Sequence, residues 1–571
     1  MFRQEFANLC YADIKCWLFT REVIMGTKQS ISRRNFLRGA AAVGGTAVLA
    51  GLAGCTTPAA TTPAWMPTWD ETTDVVVVGF GFAGAAAALT ANGAGAKVIV
   101  LEKAAEADGG SSGCSSGNIH SFPKSDPAIW TPHVVRSAYG TLAEDVASQM
   151  VQSALTMPDW FDSVGIKIDW VETSSTAVGA PPASSNGHVA GYEGNEGRFL
   201  WQETLKACDT AGIDYRCGMR VVELYQNPET MDILGVKVQP ASGNALNIKA
   251  LKGVVLACGG YGNNPLIQSN FNQPGVQLWP WGTPNNTGDG FALVSKVGAK
   301  LWHLQGLEWS AVSFRLPSEK AGCSISTDAT SGITPYNHIF VNAAGKRFMN
   351  EEKSMNHDIE PKPVVDFSAK ESRYVNLPFF MVFDSTMFNA KPLWIGSGRS
   401  NIINTYAGVH KLLDWGPDNS KALANGWIFK GNTIEELAAN IKGTTPKGET
   451  VSVDPAGLAA TVKAFNELAA SGADDTKFGR KATMIAPVET APFYAIEMSL
   501  SNINTQGGAQ RDGNCQVVDW DEKPIPRLFS AGEFGSINGF VYAFGNIFES
   551  FTSGYVAGAN LAKLDPWEKT A

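Results

Sequence analysis

The alternation of apolar and polar stretches predicts a strand, a helix and a second strand between residues 73 and 101. Four consecutive valines at residues 75–78 are typical of a strand that is buried on both faces of a parallel sheet. The alanine-rich residues 85–91 favour a helix. Residues 97–101 (KVIVL) predict a second buried strand. This order of elements is typical of a parallel α/β sheet.

Three glycines join the first predicted strand to the helix with the spacing GxGxxG. Gly79 allows a tight turn, Gly81 lets the backbone approach a pyrophosphate, and Gly84 lets the helix pack against the strand. The helix N-terminus favours the phosphate charge. Glu102 ends the second strand, where its carboxylate can accept hydrogen bonds from ribose hydroxyls. The unit therefore predicts a site for an adenine dinucleotide.

Three later stretches favour FAD over NAD as the dinucleotide. Residues 108–117 (DGGSSGCSSG) form a small, hydroxyl-rich loop that could run along a pyrophosphate and an isoalloxazine edge. Residues 253–261 (GVVLACGGY) predict a buried strand that ends in glycines, and residues 528–535 (LFSAGEFG) contain Ala-Gly-Glu. Each stretch alone is more often an ordinary turn or loop, but their order along the chain supports a joint interpretation.

In this order the motifs resemble those of the flavoprotein subunits of fumarate reductase and succinate dehydrogenase, a family that includes 3-ketosteroid dehydrogenases. The resemblance extends over roughly residues 74–562 and includes NTGDG at 286–290 and GKRFMNE at 345–351. It implies an α/β fold class, with a discontinuous, Rossmann-like FAD-binding domain and an inserted α+β capping domain. The implied segments are 1–54 for a leader, 55–70 for a tether, 71–304 and 490–566 for FAD binding, and 305–489 for the capping domain.

The resemblance also implies which residues contact FAD. They are Gly79, Gly81, Ala83, Gly84, Glu102, Lys103, Gly109, Gly110, Ser111, Ser112, Ser116, Gly117, Val222, Ala257, Gly259, Gly260, Asp289, Gly532, Glu533, Asn546 and Ile547. Succinate dehydrogenases tether FAD to a histidine in the Gly-Gly-Ser loop region. Here that loop contains serines and Cys114, with no histidine before His120, so we expect FAD to be bound non-covalently.

A short apolar segment follows Arg33 and Arg34 and ends at Cys55. Residues 39–54 are too few to span a membrane and too rich in glycine for a stable buried helix. The segment resembles a twin-arginine export signal, and LAGC at 52–55 resembles a bacterial lipobox, in which Cys55 is lipidated. An ordinary secretory signal with a chance cysteine is the alternative. We expect translation to start at Met25, and a lipid anchor to be the only membrane attachment.

The bulk composition excludes several classes of function. The net charge is −9 at pH 7 and no block of Lys and Arg occurs, so nucleic acid is not an expected partner. The nine cysteines include no CxxC and the seven histidines include no HExxH, so we expect no metal site or iron–sulfur cluster on this chain. No haem domain precedes the predicted FAD domain, which implies a separate cytochrome or a quinol-linked electron donor.

The predicted substrate site departs from the pattern of fumarate reductases by losing cations. Met355 stands where the family has a proton-donating arginine, Asn504 replaces a histidine, and Tyr542 replaces an arginine. A buried dicarboxylate without cations would bear a large desolvation cost. The departures therefore favour a neutral small molecule, such as an enone, a steroid or a plant phenolic.

We therefore predict an exported FAD oxidoreductase that reduces an activated carbon–carbon double bond. Tyr542 is the first candidate for proton transfer, although a packing role is also possible for this tyrosine. Arg511, His357 and Arg347 are the other catalytic candidates, and the Gly-Lys-Arg-Phe context of Arg347 favours a structural role. The alternatives are a 3-ketosteroid-type dehydrogenase, a fumarate reductase and a non-catalytic lipoprotein that carries flavin.

Overall fold

The computed structural model describes most of the chain after the leader. The described residues are 63, 65–121, 127–173, 184–192, 197–272, 276, 278–316, 321–324, 333–352, 363–394, 406, 410–445, 448–539 and 545–568. Residues 64–571 form one compact unit. The predicted leader and Cys55 lie outside the described residues.

Twenty-four strands are present in the described part of the chain. They are β1 (Glu71–Val78), β2 (Val98–Leu101), β3 (Ile119–Ser121), β4 (Ile168–Thr173), β5 (Ser184–Val189), β6 (Asp214–Arg216), β7 (Met219–Gln226), β8 (Ile233–Pro240), β9 (Leu246–Leu256), β10 (Trp279–Pro280), β11 (Leu301–Trp302), β12 (Leu307–Leu316), β13 (Ala321–Ser324), β14 (His338–Asn342), β15 (Phe367–Ser368), β16 (Arg373–Tyr374), β17 (Phe379–Phe383), β18 (Ile428–Gly431), β19 (Gly443–Thr444), β20 (Thr450–Val451), β21 (Phe493–Thr505), β22 (Gly508–Ala509), β23 (Gln516–Val518) and β24 (Pro524–Ser530).

Twelve α-helices and one short 3₁₀ helix, Ala482–Met484, complete the elements of the described residues. The α-helices are α1 (Phe82–Gly93), α2 (Pro127–Ser137), α3 (Glu144–Ala154), α4 (Met157–Ser163), α5 (Gly197–Thr210), α6 (Pro265–Phe271), α7 (Asp289–Lys296), α8 (Ser385–Ala390), α9 (Ser420–Ala424), α10 (Ile434–Asn440), α11 (Pro455–Ser471) and α12 (Asn546–Ala562). Among the described residues, no helix is both long enough and apolar enough to cross a bilayer.

The first sheet has eight strands, and the predicted strand–helix–strand unit lies at its centre. Its main order is β23-β24-β9-β1-β2-β6, in which β24, β9, β1, β2 and β6 run parallel to one another and β23 pairs antiparallel with β24. The antiparallel hairpin of β7 and β8 joins the sheet through β9. The strand pairing of residues 75–78 with both β2 and β9 confirms the buried parallel strand that the four valines predict.

Both faces of β1 are buried, and they contribute to two different hydrophobic cores. Val75 and Val77 pack in the core that contains α1 and α12. Val76 and Val78 pack on the opposite face with side chains of α7. Full burial of such a side chain contributes about 1.5–3 kcal/mol. The four valines therefore bury β1 on both of its faces.

The second sheet has seven strands and is arranged around the long strand β21. Its main order is β13-β12-β21-β17-β14, and β10 and β18 also pair with β21. Alternate residues of β17 face two cores, so Phe379 and Met381 lie in one and Phe380 and Val382 in the other. Helices α10 and α11 cover the second of these cores.

The second sheet takes strands from all three segments that the sequence assigned to FAD binding and capping. Strand β21 begins within the predicted segment 490–566, yet it pairs with β17 and β18 of the segment 305–489. Strand β10 comes from the segment 71–304. The division into FAD-binding and capping domains remains a prediction, and its boundary at residue 490 would separate β21 from its neighbours.

Helix α12 returns the end of the chain to α1, and glycines allow a close approach. A Cβ atom on Gly554 would overlap the carbonyl oxygen of Ala83, and one on Gly558 would overlap that of Ala87. The two helices therefore pack with backbone against backbone. This contact brings α12 next to the amino-terminal end of α1.

We expect Gly558→Ala to destabilise the protein, because the new methyl group must displace the backbone of α1. Overpacking of this kind costs typically about 1–3 kcal/mol. Gly93→Ala is the matched control, since a Cβ atom there meets no heavy atom within 4 Å. Chemical denaturation would measure both free energies of unfolding. Equal stabilities of the two variants would contradict the close helix contact.

Candidate functional site

An open cavity lies beyond the carboxyl ends of the central parallel strands, where α/β sheets bind ligands, and its empty space is about 870 Å³ when the adjoining open solvent is included. Its lining combines the ends of β1, β2 and β9, the start of α1, and the loops that follow β2 and β24. The lining residues are Val78, Gly79, Phe80, Gly81, Phe82, Ala83, Leu101, Glu102, Lys103, Ala104, Asp108, Gly109, Gly110, Ser111, Ser112, Met219, Arg220, Val221, Ala257, Cys258, Gly259, Thr283, Asn285, Asn286, Asp289, Leu293, Ala531, Gly532, Glu533 and Ser550.

Two of the three glycines after β1 are required by the backbone itself. Gly79 has a φ of +101°, and a Cβ atom there would overlap the carbonyl oxygen of Ala257, which directly follows the neighbouring strand β9. A Cβ atom on Gly84 would overlap the carbonyl oxygen of Gly79. These contacts are the tight turn and the close helix packing that the sequence predicts.

The third glycine keeps open the space in front of helix α1. A Cβ atom on Gly81 would lie 3.0 Å from Ser112 Oγ and 3.4 Å from the Gly109 carbonyl oxygen. Gly81 is the N-cap of α1 and offers no side-chain cap, while the Phe82 N–H donates to Ser112 Oγ at 3.1 Å. A helix N-terminus beside glycine backbone and a serine hydroxyl suits a pyrophosphate.

Glu102 is held in a fixed orientation at the end of β2. Its carboxylate accepts hydrogen bonds from the N–H of Phe80 at 2.8 Å and from the N–H of Ala104 at 2.7 Å. Each carboxylate oxygen can accept a further bond. Glu102 can therefore receive ribose hydroxyls without moving.

A charged cluster stands beside Glu102 at one side of the cavity. Asp289 begins α7 and accepts from Lys103 Nζ at 3.0 Å and from Arg220 Nη2 at 2.9 Å. Burial alone would raise the pKa of Asp289, but Arg220 and Lys103 hold it below its ordinary value. Lys103 Nζ also donates to Thr287 Oγ1 at 2.6 Å. This cluster fixes three side chains of the cavity wall in one arrangement.

Glu533 places a second carboxylate on the cavity wall. Its oxygens accept from the Thr505 N–H at 2.9 Å, from Thr505 Oγ1 at 2.8 Å and from Asn286 Nδ2 at 3.2 Å. Burial raises the pKa of Glu533, and the hydrogen bonds oppose that rise. Thr505 ends β21, so Glu533 connects the second sheet to the cavity.

The residues present fit an adenine dinucleotide of the FAD type. The backbone at Gly81 leaves room that a side chain would fill, and the start of α1 suits phosphate. Glu102 suits a ribose, and the hydroxyl-bearing loop from Gly109 to Ser112 extends the wall beyond the phosphate position. The cavity is built from a strand, a glycine turn, a helix and a second strand that ends in an acidic residue. Two further glycine motifs lie on the same wall. Together these features define the class of flavoproteins.

The cavity brings together fourteen of the residues that the sequence assigned to FAD. They are Gly79, Gly81, Ala83, Glu102, Lys103, Gly109, Gly110, Ser111, Ser112, Ala257, Gly259, Asp289, Gly532 and Glu533. Seven other predicted residues, all within the described chain, lie outside the lining. They are Gly84, Ser116, Gly117, Val222, Gly260, Asn546 and Ile547.

The residues outside the lining have other contacts in the structure. Gly84 packs α1 on β1, and Val222 lies one residue beyond Val221, which does line the cavity. Asn546 accepts from Asn538 Nδ2 at 3.0 Å. Ile547 is buried in the core that contains α1 and α12.

Several lining side chains were not predicted from the sequence. The polar ones are Asp108, Arg220, Thr283, Asn285, Asn286 and Ser550. Asn286 belongs to NTGDG, so that motif could have indicated it. Arg220 and Ser550 lie outside the quoted motifs, and only the folded chain brings them to the cavity.

Two of the four catalytic candidates lie in buried ion pairs. Arg511, which is 1% exposed, pairs with Glu549 and donates to the carbonyl oxygens of Ser530 and Gly532 at 3.3 and 3.4 Å. Arg347 pairs with Glu351 at 2.7 Å and with Asp475 at 2.9 Å. Neither arginine lines the cavity, so these contacts favour structural roles for both.

The other two catalytic candidates, Tyr542 and His357, lie outside the described residues, as does Met355.

One contact at the cavity edge was not predicted. His410 Nε2 lies 3.6 Å from Asp108 Oδ2, and the centroid of the His410 ring lies 4.1 Å from that of the tilted Tyr406 ring. The backbone N–H of Tyr406 donates to the Trp281 carbonyl oxygen at 2.7 Å. Tyr406 therefore contacts Trp281, and His410 lies close to Asp108, which lines the cavity.

Comparison with known proteins agrees with the class that the fold and cavity define. The model of the FAD binding domain family matches residues 74–547, and that of the twin-arginine translocation pathway signal sequence matches residues 30–50. The chain belongs to the FAD-dependent flavoprotein family of fumarate reductases and 3-ketosteroid dehydrogenases, and it carries a signal for export across the cytoplasmic membrane. The resemblance, the α/β fold class and the FAD cofactor are thereby confirmed.

Individual relatives and structures are similar over most of the chain. Digoxin reductase of Eggerthella lenta is 29% identical over 95% of this chain and 99% of its own length. Vinyl phenol reductase of Lactiplantibacillus plantarum is 26% identical over 80% of this chain and 89% of its own. The structure of 3-ketosteroid Δ1-dehydrogenase from Sterolibacterium denitrificans superposes with a TM-score of 0.67 at 20% identity, over 86% of this chain and 99% of that one. This last similarity concerns the fold alone.

We expect Gly81→Val to abolish FAD loading while the apoprotein still folds. The valine side chain would occupy the space in front of α1 and collide with the pyrophosphate, whereas Gly81 itself has an ordinary negative φ of −105°. Flavin absorbance of the purified protein, together with its thermal unfolding, would measure both effects. Normal flavin content in the variant would place the pyrophosphate elsewhere.

Proposed function

We propose that this flavoprotein reduces an activated carbon–carbon double bond of a neutral, aromatic or steroid-like small molecule. The observation that carries the proposal is the combination of an FAD cavity with a loss of cations at the predicted substrate positions. By the resemblance to fumarate reductases, Met355, Asn504 and Tyr542 fall at positions where that family has arginine or histidine. The similarity to reductases of digoxin and vinyl phenol supports a reductase activity on a small molecule.

The charged pairs of the structure support the exclusion of a dicarboxylate. Arg511 and Arg347 were the two arginines among the catalytic candidates predicted from the sequence. Both are engaged by buried carboxylates, Arg511 by Glu549 and Arg347 by Glu351. Recruiting either one to a substrate would leave its carboxylate unpaired.

The proposed reaction adds a hydride and a proton to the two carbons of the double bond. FAD, when bound and reduced, supplies the hydride. The chain supplies the proton, to the second carbon or to the carbonyl oxygen as an enol forms. Tyr542 is the proposed donor, because a phenol with an ordinary pKa near 10 is protonated at neutral pH. Its place in the sequence, nine residues after Glu533, supports this role.

We further propose that FAD is bound non-covalently and that the exported protein is anchored through a lipid on Cys55. The serine-rich loop and the lipobox at residues 52–55 support these two proposals. A separate cytochrome or a quinol-linked carrier would deliver the electrons. Acid treatment of the purified protein should release free FAD, and the exported protein should begin at a lipidated Cys55.

A panel of substrates would test the proposed reaction. The flavin is bleached with dithionite, and enones, steroids, cinnamates and fumarate are then added one at a time. We expect reoxidation by at least one neutral alkene and only background reoxidation by fumarate. Fast reoxidation by fumarate would contradict the proposed substrate class. No reoxidation by any substrate, with reduction of the oxidised flavin by a saturated ketosteroid, would instead favour the dehydrogenase direction.

Tyr542→Phe would test the proposed proton donor, because it removes only the hydroxyl group. A well-placed general acid contributes on the order of 10²–10⁴-fold in rate, so we expect turnover to fall by about that factor. FAD content and thermal stability should stay close to those of the parent. Turnover within a few-fold of the parent, on a substrate found by the panel, would make Tyr542 a packing residue.

A further inference from the structure

Asn286 occupies a position at which three separate segments of the cavity wall meet. It is 9% exposed, and its backbone is tethered on both sides, since its N–H donates to the Thr283 carbonyl oxygen and its carbonyl oxygen accepts from the Asn263 N–H. Its amide Nδ2 donates to Ser111 Oγ at 3.1 Å and to Glu533 Oε2 at 3.2 Å. Both amide protons are therefore used on residues that line the cavity.

The orientation of the Asn286 amide follows from its surroundings. Glu533 offers only acceptor oxygens when ionised, so the amide nitrogen must face it. On the other side, the amide oxygen lies against Gly259, where an added Cβ would stand 2.6 Å from Asn286 Oδ1. Gly259 has a φ of +68° and leaves room for the amide oxygen.

Glu533 is in turn held by the second sheet. Thr505, the last residue of β21, is fully buried and donates to Glu533 through both its N–H and its hydroxyl. The same hydroxyl accepts from the N–H of Tyr261 at 3.2 Å. A side chain on Gly260 would overlap both Thr505 Oγ1 and the Glu533 carboxylate. The second glycine of the Gly-Gly pair thus admits the carboxylate to its position.

We propose that Asn286 is a positioning residue for FAD, acting as a clamp that fixes the Ser111 hydroxyl and the Glu533 carboxylate on the cavity wall. Without the amide, Ser111 and Glu533 would each lose a donor, and Glu533 Oε2 would lose the hydrogen bond from Asn286, while Oε1 would stay bound to Thr505. The proposal concerns cofactor binding and does not depend on the identity of the substrate.

A charge exchange tests the clamp. Asn286→Asp places two carboxylates side by side, so we expect the dissociation constant for FAD to rise by at least about tenfold. The double variant Asn286→Asp, Glu533→Gln exchanges the two groups and restores one amide donor and one carboxylate acceptor. We expect it to recover most of the lost affinity. Titration of the apoprotein with FAD, followed by flavin fluorescence, would give the four dissociation constants of the cycle.

Asn285→Asp is the matched control, because the neighbouring Asn285 also lines the cavity but makes no side-chain hydrogen bond with Ser111 or Glu533 among those of the described chain. It introduces the same charge one residue away. We expect a smaller loss of affinity, and no recovery when Glu533→Gln is added. An equal loss, or an equal recovery, in this control pair would show a general effect of charge and would overturn the clamp.

Thermal unfolding of the apoproteins separates positioning from a merely structural role. We expect the melting temperature of the apo Asn286→Asp variant to stay close to that of the parent apoprotein, although the affinity of the variant for FAD falls. A large fall in that temperature, without recovery in the double variant, would overturn the proposal. If Asn286→Asp does not fold, the double variant still tests the proposal. The clamp requires that the double variant folds and that it binds FAD more tightly than Asn286→Ala does.

Discussion

The structure depends on the close approach of backbone segments around the amino-terminal end of helix α1. Gly79 lies against the carbonyl oxygen of Ala257, and Gly84 lies against that of Gly79. On the outer side, Gly554 and Gly558 bring α12 onto the same helix. Side chains at these positions would force the strands and helices apart. The geometry of the predicted phosphate position therefore depends on these glycines, which lack a Cβ atom, as much as on any polar contact.

This close packing determines what the cavity can offer to a cofactor. Because α1 packs closely on β1, its first residues, Phe82 and Ala83, line the cavity beyond the strand ends. The polar side chains are then added from distant segments, such as Glu102 from β2 and Glu533 from the loop after β24. The contact between Glu533 and Thr505 links this set to β21. The second sheet is therefore attached to the cofactor cavity by a carboxylate as well as by its strands.

Local pattern was sufficient to predict the parts of the fold that depend on neighbours in sequence. The valines of β1, the glycine turn and Glu102 lie within about thirty residues, and their roles follow from strand burial and turn geometry. The place of β21 could not be predicted, since its pairing with β12, β17 and β18 joins segments far apart in the chain.

The same limit applies to the candidate site. Arg511 was a plausible catalytic cation in sequence, but its partner Glu549 is 38 residues further on and becomes visible only in the folded chain. The Asn286 contacts have the same origin, because Ser111 and Glu533 come from opposite ends of the chain. A residue type and its motif can indicate that a side chain is important, while its partners decide whether it contacts the cofactor, the substrate or only the core.

These buried pairs also bear on how the scaffold selects its substrate. Glu549 accepts from Arg511, from the N–H of Ile537 at 2.8 Å and from Asn538 Nδ2 at 2.8 Å, so its negative charge is fully engaged. Withdrawing Arg511 toward an anionic substrate would leave that carboxylate buried without its cation, at a cost of about 3–5 kcal/mol. Arg347 is bound in the same way by Glu351 and would meet a similar penalty. An anionic substrate that drew on either of these two arginines would therefore have to offset the loss of a buried ion pair.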